Sequence, residues 1–158
     1  MIIRRASADD SAFLREMLYL ALFVPPGAPP FPRSILDEPS IDCYLRGWPR
    51  RLGDVGLIAV LDDTPVGAAW LRRFTPDAPG YGFVDAATPE LTVAVLEAYR
   101  NRGIGMQLIA ALKERVPRIS LSCDPANPAC RLYQRAGFVP TPDDARVRVW
   151  TRGVVSDL

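Results

Sequence analysis

Histidine is absent from this 158-residue chain, and lysine occurs once, at Lys113. Without histidine, Ser-His-Asp and Cys-His nucleophilic catalysis, HExxH zinc sites and imidazole proton shuttles are all excluded. Lys113 falls on what the spacing predicts as an exposed helix face, so Schiff-base chemistry has one poor candidate. The three cysteines, Cys43, Cys123 and Cys130, have no metal-type pairing in sequence. They are expected to be free, partly buried thiols in a reducing compartment, and no metal is expected. No apolar run approaches the ~20 residues that span a bilayer. The opening MIIRRASADD lacks the apolar core of a signal peptide. A cytoplasmic protein without membrane contact is expected. Nineteen basic residues against eighteen acidic ones leave a net charge of +1, which disfavours a nucleic-acid partner.

What is present is ordinary for a globular protein. Hydrophobic residues make up 49% and charged residues 23%, and the length suits one domain over residues 1–158. Ile2–Arg5 reads as a short strand. Phe13, Leu14, Met17, Leu18, Ala21 and Leu22 recur at helical spacing after the capping stretch Ala8-Asp9-Asp10-Ser11. Pro25, Pro26, Pro29, Pro30 and Pro32 then forbid regular structure, and a second short helix is expected from Ser40 toward Trp48. Gly56–Leu61 and Val66–Leu71 form a hairpin around Asp62-Asp63-Thr64-Pro65. Glu90–Val95 reads as a strand, Gly103–Arg115 as a helix, Ile119–Cys123 as a strand and Asn127–Gly137 as a helix. Phe138-Val139 and Arg146–Thr151 close as strands. The order β-α-α-β-β-β-α-β-α-β-β predicts an α/β fold, with a mixed, mostly antiparallel central sheet flanked by helices.

The most informative stretch is the turn after the Glu90–Val95 strand, Tyr99-Arg100-Asn101-Arg102-Gly103-Ile104-Gly105-Met106. Glycines there let a bulky anion approach the free N–H groups of a helix's first turn, where the helix dipole adds positive charge. Arg100 and Arg102 add full charges, and the arrangement suits a phosphate or pyrophosphate. It is not a Walker A loop, and the dinucleotide pattern fails because Leu108 stands where its third glycine belongs. Glycines at such a turn also serve packing alone.

Asn127-Pro128-Ala129-Cys130-Arg131-Leu132-Tyr133-Gln134-Arg135-Ala136-Gly137-Phe138 begins 24 residues after Gly103, across one strand. With Arg100-x-x-Gly103-x-Gly105 and the strand Pro89–Val95, it closely resembles the GNAT superfamily of N-acetyltransferases. The resemblance covers residues 89–138 by motif and the rest by element order. It implies that Arg100, Asn101, Arg102, Gly103, Ile104, Gly105 and Met106 wrap the pyrophosphate of acetyl-coenzyme A. It further implies that the backbone of Val93, Ala94 and Val95 pairs with the pantetheine arm like an added strand, one N–H polarising the thioester carbonyl. Asn127 matches a cofactor-contacting asparagine, although Asn followed by Pro is also good helix-start chemistry. Tyr133 matches the tyrosine that protonates the departing thiolate. Its place on the apolar stripe Ala129, Leu132, Tyr133, Ala136 equally suits a core residue.

The implied reaction is direct attack by a primary amine, of a small molecule or a protein, on acetyl-coenzyme A. Many relatives use a strand glutamate as general base. Glu90 is the candidate here, yet it lies five residues before Val95, and strand alternation turns it to the opposite face. A non-catalytic acyl-coenzyme A-binding module on the same fold is the alternative. Phe23, Phe31, Tyr44 and Trp48 suggest an aromatic acceptor wall better suited to an amphipathic than a polybasic amine, with Asp37, Glu38 and Asp42 as the nearby acids. The alternation of Arg146, Val147, Arg148 and Val149 suggests a homodimer contact through the last strand.

Overall fold

The computed structural model of the protein describes residues 1–154. A seven-stranded sheet is built from β1 (Ile2–Arg5), β2 (Val55–Leu61), β3 (Thr64–Arg72), β4 (Glu90–Val95), β5 (Arg118–Ser122), β6 (Val139–Pro140) and β7 (Val147–Thr151). The spatial order is β1-β2-β3-β4-β5-β7-β6, and every neighbouring pair is antiparallel except β4 and β5. The helices are α1 (Ser11–Ala21), α2 (Pro39–Asp42), α3 (Ile104–Lys113) and α4 (Ala129–Arg135). The element order matches the sequence reading.

Local chemistry accounts for the elements that position the site. A capping box precedes α1: Ser7 Oγ accepts the Asp9 N–H, and the Asp10 carboxylate accepts the Ser7 N–H at 2.9 Å. That satisfies donors that a helix start would leave open. The β2–β3 hairpin turns through Asp62 and Asp63, both left-handed (φ 49° and 62°), which short polar side chains tolerate. On one face of the sheet, Leu14, Met17 and Leu18 of α1 pack with Ile41, Tyr44, Trp48 and Trp70. On the other, Ile104, Leu108, Ile109 and Leu112 of α3 pack with Leu57, Leu71, Leu91 and Phe138.

Three expectations need correction. The second helix ends at Asp42 rather than near Trp48. The carbonyls of Cys43 and Arg46 are taken instead by the Arg72 guanidinium, and Gly47 turns left-handed (φ 67°). Cys123 and Cys130 are not free thiols but a disulfide, with Cα atoms 6.1 Å apart, joining the residue after β5 to the first turn of α4. Only Cys43 is free. Lys113 is half-buried rather than exposed. Its ammonium bonds the Ala136 carbonyl and lies 4.9 Å from the Trp150 ring centre. The last strand, β7, is paired to β5 along its length and to β6 at Arg148 and Val149. Among the described residues no helix is long and apolar enough to cross a membrane.

Candidate active site

The parallel neighbours β4 and β5 share a single register pair, Glu90 with Ser120, closed by the Ser120 N–H donating to the Pro89 carbonyl at 3.0 Å. Beyond that point they part. The Leu96 N–H donates to Val66 on β3 at 2.8 Å, so the two-residue period of a strand turns the backbone groups of Thr92 and Ala94 to β3 as well. Those of Val93 and Val95 consequently face the gap. The Val95 carbonyl accepts from Arg100 Nε at 3.0 Å, which leaves the Val95 N–H and both groups of Val93 for an added strand.

The gap opens into a cleft of about 710 Å³ lined by Val93–Val95, Tyr99–Asn101, Gly103–Met106, Asn127–Ala129, Arg131–Tyr133 and Arg135, with Leu20–Val24 from the end of α1. At its α3 end the chain turns through Asn101 (φ 63°) and Gly103 (φ 80°). The helix start has no side-chain cap. Among the described residues, the N–H groups of Gly103, Ile104, Gly105 and Met106 meet no acceptor. These four orphan donors form a positive row. A Cβ built on Gly103 would meet nothing within 4 Å, so space is kept open in front of that row. A Cβ on Gly105 would stand 3.3 Å from Leu132, so this glycine lets α4 approach α3. The donors and the open cradle fit a pyrophosphate.

Most of the residues expected from the sequence meet here. Arg102 is one exception: its guanidinium folds back over the Tyr99 ring at 5.3 Å. Asn127 does both things anticipated for it, since Oδ1 accepts the Ala129 N–H at 2.9 Å while the residue lines the cleft. Tyr133 lines the cleft beside Leu132 and packs edge-on to Phe138, ring centres 6.2 Å apart. Burial pushes its hydroxyl up to about 12. Glu90 is not brought to the cleft. It is 3% exposed, its Oε1 accepts the Gly82 N–H at 2.8 Å, and burial raises its carboxyl to about 7, a rise opposed by the Tyr44 hydroxyl and the Gly82 N–H.

The proposed acceptor wall divides. Phe23 lines the cleft, Phe31 is exposed, and Tyr44 and Trp48 are buried in the core. Asp37 and Asp42 are paired with Arg15 and Arg46. The sequence reading missed Leu20–Leu22 and the arginines Arg131 and Arg135. The arginines stand four apart on α4 next to Asn127, a spacing that puts both on one helix face and could have been read as a basic stripe.

A model of the acetyltransferase (GNAT) family matches residues 19–138. The chain belongs to that family. The chain is 31% identical over 103 residues to a mycothiol acetyltransferase of Brachybacterium faecium, a match covering 61% of this chain but only 30% of that protein. The chain thus spans less than a third of the length of the curated relative it matches. The aminoglycoside acetyltransferase AAC(6')-Ib, solved with coenzyme A and kanamycin, is 25% identical with a TM-score of 0.59, over 95% of this chain and 94% of that one. The yncA protein of Salmonella typhimurium, solved with acetyl-CoA as its cofactor, covers 100% of this chain and 97% of its own at TM-score 0.66 and 17% identity. At that identity the likeness shows the fold.

Proposed function

We propose that this chain is an N-acetyltransferase, acting as one domain over residues 1–158, that moves an acetyl group from acetyl-coenzyme A to a primary amine by direct attack. The observation that carries the reading is the β4/β5 fork, with its unpaired Val93 and Val95 leading to the free N–H row of α3. When bound, acetyl-coenzyme A supplies the activated acetyl thioester. The N–H groups of Gly103–Met106 hold its pyrophosphate, with Arg100 and Asn101 beside them. Arg102 offers its backbone, and Arg131 and Arg135 add positive charge along α4. Val93 and Val95 pair with the extended arm. The Val95 N–H polarises the carbonyl, Asn127 orients the start of α4, and the Tyr133 hydroxyl gives the departing sulfur its proton.

The acceptor is an amine with an apolar body, of a small molecule or a protein end. Among the described residues, every charged side chain lining the cleft is an arginine, and the wall beside the fork is Leu20–Val24. A polycation would bury ammonium groups there against apolar carbon, which is costly. The absence of a carboxylate among the lining residues favours a second reading, a non-catalytic acyl-coenzyme A-binding module. We assign the protein to the cytoplasm, where its donor is found.

Thermal unfolding tests the donor. Acetyl-coenzyme A at ~100 times its dissociation constant adds ~2.7 kcal/mol, a rise in midpoint of roughly 5–10 °C for this length, while ATP and NAD leave it unmoved. Thiol release with phenethylamine, spermidine and kanamycin tests the rest. Turnover fastest with phenethylamine is expected, and donor binding with no turnover on any amine would establish the binding module. Gly103→Val puts a β-branched side chain at φ 80° and into the open cradle. It is expected to weaken acetyl-coenzyme A binding roughly tenfold or more, since ~1.4 kcal/mol is a factor of ten and the left-handed region alone costs ~1–2 kcal/mol.

A further inference from the structure

Glu90 is a buried carboxyl away from the cleft, and its contacts explain why it is there. Its Oε1 accepts the Gly82 N–H at 2.8 Å. One residue earlier, the Tyr81 N–H donates to the Tyr44 hydroxyl, also at 2.8 Å, and that hydroxyl lowers the Glu90 carboxyl against the rise that burial causes. Two successive backbone donors of an otherwise irregular segment are thus held by two buried side chains from different parts of the fold.

The segment can come so close only because of its glycines. A Cβ on Gly80 would stand 2.5 Å from Glu90 Oε1 and 2.9 Å from the Tyr44 hydroxyl oxygen. A Cβ on Gly82 would stand 2.6 Å from the Leu121 carbonyl carbon and 2.8 Å from the Ser122 nitrogen. Leu121 and Ser122 lie just past Ser120, the last β5 residue in register with β4. Gly80–Phe83 therefore crosses from Glu90 on β4 to the start of the fork on β5.

The face it occupies follows from alternation. Leu91, Val93 and Val95 pack with α3 and Tyr133, whereas Ala94, and with it Thr92 and Glu90, belong to the α1 side. An acyl chain lying in the fork as an added strand leaves two faces open. Tyr133 stands on one, so the amine arrives on the other, between the end of α1 and Gly80–Phe83. Phe83 packs into the α1-side core, and Tyr81 is left 61% exposed.

We propose that Glu90 and Tyr44 are positioning residues that clamp Gly80–Phe83 across the β4/β5 fork, and that this clamped segment is the acceptor-side wall of the site. The assignment rests on the acetyltransferase reading above. Glu90 acts through the Gly82 backbone and touches neither substrate, so it is not the general base.

The experiment is steady-state transfer from acetyl-coenzyme A to phenethylamine, with donor affinity measured separately by calorimetry. Glu90→Gln keeps an oxygen to accept the Gly82 N–H and is expected to stay within about threefold of the unaltered enzyme in kcat. Glu90→Ala removes that acceptor and is expected to raise the phenethylamine KM roughly tenfold, the worth of about one hydrogen bond, with donor affinity unchanged. Gly82→Ala pushes the segment off β5 without touching Glu90 and is expected to give the same KM signature, which keeps the test open if Glu90→Ala fails to fold. A kcat loss of ~10²–10⁴ in Glu90→Gln would make Glu90 the base and overturn the clamp. An unchanged amine KM in Gly82→Ala would overturn the wall. No transfer to any amine by the unaltered protein, despite donor binding, would overturn the acetyltransferase reading itself and this assignment with it.

Discussion

Asp54→Ala is expected to lower the thermal midpoint by roughly 6–20 °C, because breaking a buried ion pair costs ~3–5 kcal/mol and each kcal/mol moves a domain of this size by ~2–4 °C. The Arg72 and Asp54 side chains are 1% and 0% exposed. The pair is a fork: Arg72 Nε reaches Asp54 Oδ1 at 3.1 Å and Nη2 reaches Oδ2 at 2.8 Å. Arg72 Nη1 also donates to the carbonyls of Cys43 and Arg46, while Asp54 Oδ2 accepts the Arg51 N–H at 3.0 Å. One guanidinium therefore ties the end of β3 to the turn before β2 and to the irregular chain after α2. Removing Asp54 strands a buried cation, and the carbonyl bonds alone do not neutralise it. Changing both partners, Asp54→Ala with Arg72→Met, is expected to cost less than the single change plus the other, because no lone charge is left behind. Since Arg72 sits at the opposite end of the β3–β4 pairing from Val95, acetyl-coenzyme A binding well below the midpoint should be unaffected. Calorimetric unfolding of both single variants and the double, with a donor titration of Asp54→Ala, checks all three statements.

That ion pair marks where the sequence stops being legible. The strands Glu90–Val95 and Gly56–Leu61 are readable because their apolar runs are short and bounded by turn residues, and the structure keeps both to within a residue. The glycine turn is readable because its residues are contiguous, and local spacing alone puts free amides at a helix start. What stays hidden depends on partners far apart in the chain. Nothing in Ser40–Trp48 announces that Arg72 will take its carbonyls and end the helix early. Nothing near Glu90 announces Tyr44, and the contact between Tyr44 and Tyr81 joins segments 37 residues apart. The Cys123–Cys130 link is hidden differently. The spacing fits no metal motif, and only the turn at Asp124, which brings the end of β5 back to α4, sets the two sulfurs together. Strand alternation puts Glu90 on the α1 side of β4 with Ala94, the face opposite Tyr133.

The proposed donor half of the site is accordingly the readable half, since a pyrophosphate would be held there by consecutive backbone groups. The proposed acceptor wall, from the end of α1 and a loop between β3 and β4, carries no contiguous pattern. Such a wall is also where relatives with one fold diverge in substrate.

Tyr133→Phe is expected to lower kcat by ~10²–10⁴, the usual worth of general acid catalysis, with the affinity for acetyl-coenzyme A unchanged. The hydroxyl makes no hydrogen bond to a described residue, while the ring packs against Phe138. Deleting one oxygen therefore removes no structural bond and keeps the ring contact, so stability should shift by no more than ~0.5 kcal/mol. A core tyrosine with no chemical task would give the same stability result and no loss of kcat, which makes the turnover number the deciding quantity. The pH profile adds a second check. Burial holds the hydroxyl at about 12, above an ordinary tyrosine, so it keeps its proton throughout the working range. An acid of that kind gives no alkaline decline in kcat below that value, and any limb seen near neutrality must belong to the amine or another group. Tyr133→Phe should then scale the whole profile down without moving its inflections. An alkaline limb that is present in the unaltered enzyme and lost in the variant would mean that Tyr133 itself titrates there, which would overturn the raised hydroxyl and not its task, whereas an unchanged kcat would overturn the task.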